Sequence, residues 1–190
     1  ILPTSWEPVL GSVTAAVGLA GVWCSARLYA VTGRPFWRMD RTLVRFALTM
    51  STAGAAAVAL ATAVSAATGS ASLTTARHIG DLAAASVIGA SAVAGSVVIV
   101  FVVRHRTDEG ALGRSTWLLS GPLLGRVGAG AGLAAVAAFI AGVLAVSPPS
   151  AGVACAWWAV VVLATTGAAW IERGLFFVAA APDRMPGGFR

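Results

Sequence analysis

Lysine is missing from this chain of 190 residues, cysteine and histidine occur twice each and tyrosine once. The two cysteines, Cys24 and Cys155, lie in separate apolar runs without a partner at metal-ligand spacing. That excludes a zinc or iron–sulfur framework and makes both thiols expected buried apolar fillers. Charge is scarce too: 11% of residues are charged against 58% hydrophobic. With a mean hydropathy of +0.86, this composition excludes a water-soluble globular domain. All 13 basic residues are arginine, set against 7 acids for a net charge of +6. A basic excess suggests nucleic acid or a membrane as partner, and hydrophobicity this high selects the bilayer, with no nucleic acid. No Gly-rich phosphate loop, nucleophile–base arrangement, metal cluster or nucleotide motif occurs, so the chain carries no evident catalytic or metal residues of its own.

What is present is a series of long apolar runs. They cover 8–31, 42–68, 80–103, 117–146 and 151–181, separated by TGRPFWRMDR, the polar stretch after Gly69, RHRTDEG and SPPS, with PDRMPGG after the last. Each run can cross a hydrocarbon core of about 30 Å at about 1.5 Å per residue. Unbroken runs rather than alternation exclude barrel strands. The expectation is therefore all-α: one polytopic transmembrane bundle of about five helices. The start, ILPTSWEP, has no features of a signal peptide. It also lacks an initiator methionine, so a longer subunit is expected.

Arginine placement orients such a bundle, since short loops rich in Lys and Arg stay cytoplasmic. Arg34, Arg38, Arg41, Arg104, Arg106, Arg114, Arg184 and Arg190 fall on one side, and Arg77 alone on the other. The carboxyl end is expected in the cytoplasm, unless these loops dock a partner subunit. For that second role the candidates are Arg34, Arg38, Arg41, Arg104 and Arg106.

Ionisable residues within the runs carry the chemistry, because each costs on the order of 3 kcal/mol in hydrocarbon. Arg27 and Arg45 lie near run ends and are expected to snorkel to headgroups. Arg126 follows Pro122, which either breaks the run near the membrane surface or leaves Arg126 inside it. Glu172 and Arg173 are adjacent, point about 100° apart on a helix, and so cannot simply pair with each other. Three readings stay open for them: a polar clasp between helices, a place beside a quinone headgroup or proton path, or the interface. His78 and His105 flank the third run, roughly 40 Å apart at about 1.5 Å per residue, and cannot share a haem. Gly128 and Gly132, four residues apart, mark a face on which a neighbouring helix can approach closely. Trp6, Trp37 and Trp117 fit interfacial belts, while Trp157, Trp158 and Trp170 lie deeper.

Two stretches carry a family resemblance. ARLYAVTGRPFWR at 26–38, followed by RFALT, and ERGLFFVAAAPDRMPGG at 172–188 resemble segments of the dimethyl sulfoxide reductase membrane anchor subunits, with a weaker likeness in RSTWLLSGPLLGR at 114–126. In that family an acid stands where this chain has Ala169, and Glu172 is three residues on. The resemblance implies that these five helices match the last five of about eight. It also implies a haem-free subunit that anchors an iron–sulfur protein and a molybdopterin catalytic subunit (molybdenum or tungsten) and exchanges electrons and protons with menaquinone. Glu172, Arg173, Arg27 and Arg126 are then candidates for the quinone or proton path. A transporter with charged residues lining a path, or a purely structural membrane subunit, are the competing expectations.

Overall fold

The computed structural model describes residues 7–180, all helical or in short links, with no β-strand among them. Helix α1 covers Glu7–Ala30, α2 Met39–Ala67, α3 Leu73–Arg104, α4 Ala111–Ser120, α5 Leu124–Val146 and α6 Ala151–Val178, and a 3₁₀ turn Pro35–Trp37 leads into α2. Five of these, all but α4, are long and apolar enough to span a bilayer. The chain is a multi-pass membrane protein built as a helical bundle.

Helices α2, α3, α5 and α6 form a closed ring in which α2 touches α3 and α6, and α5 touches the same two. The link between α2 and α3 and that between α5 and α6 are each a few residues long, which makes those pairs antiparallel neighbours. From Leu123 through α5, positions 123, 127, 130, 134, 137, 141 and 144 are buried or half-buried at spacings of four and three. Such a seam keeps one side of a helix against its neighbours over its whole length. Helix α1 stands outside the ring and packs on α2 near its carboxyl end, where Ala26 is its one buried residue among those described.

The core is divided along the bundle axis. One half is lined by Ala56, Ala59, Ala63, Ala83, Ala84, Ala137 and Ala141 around Val87, Val161 and Trp158. Small side chains there let four helix backbones come close, which supplies packing energy in lipid, where apolar burial drives little. The other half is aromatic, gathering Phe36, Trp37, Phe46, Phe101 and Phe176 beneath α4 and the 3₁₀ turn.

Several expectations change. The fourth run is not one helix: Gly121 to Leu123 break it, because Pro122 has no N–H to give the ladder. What remains, α5, has 23 residues, still about 34 Å of helix at 1.5 Å per residue. The break therefore lies at the end of a span and not within it. Arg126 stands in the first turn of α5 and is exposed. Helix α3 begins at Leu73, not Gly80, since Ser72 caps it by accepting from the Thr75 N–H at 3.1 Å. Trp37 is buried, not part of an interfacial belt. Cys24 faces outward and Cys155 is half-buried against the alanine-rich core, so Cys24 is no core filler. Gly128 and Gly132 face open space, whereas a Cβ on Gly130 would stand 3.3 Å from Ile171 of α6. The close approach uses the middle glycine because Gly130, and neither neighbour, lies on the buried seam. Trp6, Arg184 and Arg190 lie outside the described residues, as does all of PDRMPGG.

Candidate functional site

The aromatic end of the bundle brings together residues from every long helix. Trp37, at the end of the 3₁₀ turn, stacks on Phe176 of α6 with ring centroids 5.5 Å apart. Its indole N–H donates to the Phe176 carbonyl at 3.0 Å, meeting the need of a buried tryptophan for an acceptor. Tyr29 of α1 sets its ring edge-on to both Trp37 and Phe176 at 5.5 and 5.3 Å. Phe36 meets Phe101 of α3 edge-on at 5.4 Å. The stretches 26–38 and 172–180, far apart in sequence, thus form one aromatic cluster.

Arginines rest on these rings. Arg34 lies 4.6 Å from the Trp37 ring centre, Arg45 5.0 Å from Phe36, Arg41 5.3 Å from Phe101 and Arg173 3.7 Å from Phe46. A planar guanidinium over an aromatic face is stabilised by the ring quadrupole, most where water is excluded. Arg45 does not extend to headgroups as expected: it lies half-buried beside Phe36.

Glu172 falls on the inward face of α6, three residues before buried Leu175. Its Oε2 lies 3.4 Å from the Thr49 hydroxyl of α2, whose single proton is shared with the Arg45 carbonyl at 3.0 Å. Arg45 and Arg173 both act on its charge through space, without closing an ion pair. The result is one carboxyl group, one hydroxyl and two guanidinium groups between α2 and α6, walled by Phe46 and Phe36. One turn from Phe46, the Thr42 hydroxyl is buried without a hydrogen-bond partner.

The other candidates separate from this group. Arg27 is exposed in the last turn of α1, 5.7 Å from Trp23, and Arg126 is exposed at the start of α5. The docking candidates divide in two. Arg34 donates to the Ala180 carbonyl at 3.1 Å and Arg41 to the Pro35 carbonyl at 3.2 Å, so both tie the end of the bundle together. Arg38, beside Asp40 at 3.3 Å, and the exposed Arg104 and Arg106 face outward.

Sequence reasoning weighs His105, the cap of α3, only as a haem ligand and misses its protein partners. Its Nε2 lies 3.2 Å from an Arg41 nitrogen and its Nδ1 2.6 Å from Asp108. A guanidinium only donates, so Nε2 accepts and the proton sits on Nδ1, given to the Asp108 carboxylate. The RHRTDEG spacing held the signal, an acid three residues after the histidine. No metal-ligand group of three or more His, Cys, Asp or Glu occurs among the described residues. Comparison with family models, with curated proteins and with solved structures finds no match to this chain.

Proposed function

We propose that the chain is the haem-free anchor subunit of a molybdenum or tungsten iron–sulfur oxidoreductase, with its arginine-rich end on the cytoplasmic side. It docks the iron–sulfur subunit and exchanges electrons and protons with menaquinone. The observation that carries this reading is the meeting of the two stretches that resemble the dimethyl sulfoxide reductase anchors. They are joined by the Trp37 bond to Phe176 and the Arg34 bond to Ala180, and they frame Glu172.

The donor set suits a quinone. Arg45 and Arg173 can each donate to a ring carbonyl oxygen, and the aromatic cluster around them keeps the site apolar. Bound menaquinol supplies two electrons and two protons. Glu172 is the group able to take such a proton, because guanidinium groups stay charged. Arg45 and Arg173 stabilise the carboxylate left once that proton moves on, and Thr49 fixes its orientation. Arg38, Arg104 and Arg106, on the outer surface, provide the charge for a soluble partner. A transporter would need helices broken near the midplane. The break at Pro122 instead leaves α5 at full spanning length, so the transport reading gains nothing from it.

In the intact complex, Glu172→Gln should lower quinol-linked turnover by about 100-fold, within the usual range for a general acid or base. Dye-linked activity of the soluble subunits should be unchanged. Quinol kinetics equal to wild type would reduce Glu172 to a polar clasp between α2 and α6. Purification in mild detergent tests the wider claim: iron–sulfur and molybdopterin subunits should co-purify, and a lone bundle that moves solute would overturn it.

A further inference from the structure

A second basic site lies between the start of α2 and the end of α3. Arg41, Arg45, Arg104 and His105 gather at the rim of a cleft of about 350 Å³, whose walls are Phe36 and Phe101 and whose floor runs along Val93, Val97 and Val100. We infer that this cleft binds an anionic phospholipid, with the phosphate on the arginines and an acyl chain along the valines.

Three observations support this. Val93, Val97, Val100 and Arg104 recur at spacings of four, three and four, which places them on one face of α3. At about 1.5 Å per residue the face descends about 16 Å from the charge into the apolar layer. Ser96, the one polar residue along it, donates its proton to the Ala92 carbonyl, so the lower cleft is mostly apolar and offers no free hydroxyl proton. The third is charge: three arginines line the cleft and no carboxylate does. Asp40 and Asp108 act on Arg41, and Glu172 on Arg45. None of them enters the cleft, and Arg104 faces outward.

Arg41 is held for the task. One of its nitrogens is committed to Pro35 and another to His105, itself anchored by Asp108. That fixes the guanidinium before a ligand arrives, and preorganised arginine is well matched to phosphate oxygens. A neutral quinone would bring no charge to the arginine cluster, and free phosphate would make no use of the valine face. Basic pockets between spanning helices on the cytoplasmic side have this general chemistry for acidic headgroups. Arg45 is shared with the Glu172 group, but Glu172 and Arg173 do not line the cleft, and the test reads lipid binding rather than quinol turnover.

The test is thermal unfolding of the full chain, delipidated in detergent and titrated with phosphatidylglycerol, phosphatidylcholine or inorganic phosphate. Phosphatidylglycerol should raise the Tm, and the other two should not. Arg104→Gln should weaken the phosphatidylglycerol effect about tenfold, the loss expected for one charge-assisted contact. Val97→Phe, which fills the floor and keeps every charge, should weaken it as well. An equal rise with phosphatidylcholine would overturn the site, and so would a full rise with inorganic phosphate alone. Two variants that titrate like wild type would do the same. If Arg104→Gln lost a protein partner while its lipid titration stayed intact, the cleft would belong to that protein.

Discussion

At the scale of single residues, the chain uses aromatic rings and backbone carbonyls to hold arginines where lipid cannot. Trp37 is the centre of this: it stacks on Phe176, carries Arg34 on its ring and donates to the Phe176 carbonyl. Trp37→Phe keeps most of the ring contact and loses the hydrogen bond, which should cost about 1 kcal/mol. For a domain of this length that lowers the Tm by about 2–4 °C. Trp37→Ala removes the ring as well and should cost about 3–5 kcal/mol. Thermal unfolding in detergent separates them, and equal losses would mean that the ring contributes nothing. From sequence, Trp37 reads as an interfacial residue because an aromatic beside two arginines at a span end usually is one. Its burial depends on Phe176, 139 residues away, and no local pattern reports that pairing. Glu172 was legible for the opposite reason. A lone acid in an apolar run must find a polar partner wherever the chain folds, although only the fold names Thr49.

At the scale of helices, hydrophobicity alone outlined five spans, since each crossing needs a continuous apolar run. Where it failed, polarity was a poor guide to backbone. Within the apolar stretch from 117 onward only Pro122 signals the Gly121–Leu123 break, and residues 73–79, outside the third apolar run, are helical because a helix may extend beyond the hydrocarbon. Small residues show the same limit. GAGAG announces a close approach, yet the glycine used is the one on the seam set by Leu123, Val127 and Ala137. Gly130→Val should therefore drive its side chain into Ile171, 3.3 Å from a Cβ at that position, and destabilise α5 against α6 by about 1–3 kcal/mol. Gly132→Val, in open space, should change stability by less than about 0.5 kcal/mol. Denaturation of the two variants side by side checks this, and equal effects would place the seam elsewhere on α5.

At the scale of the whole molecule, the bundle is polar along its axis. Among the described arginines Arg77 alone belongs to the alanine-rich end, and the others lie at or near the aromatic end. The grouping is partly structural, because Arg34 and Arg41 close the end of the bundle through backbone carbonyls. It is also topological if the remaining arginines obey the bias that keeps short basic loops in the cytoplasm. These two causes make different predictions for orientation, since a structural need is met on either side of a membrane. With Cys24 and Cys155 replaced by alanine, single cysteines at Thr107 and Ser147 report the two ends, both positions being exposed. A membrane-impermeant thiol reagent added to intact cells should label Ser147→Cys at once and Thr107→Cys only after permeabilisation. The reverse pattern would place the arginine-rich end outside. The anchor reading would then lose its cytoplasmic docking face, and the arginines would be left to their work on rings, carbonyls and lipid phosphate.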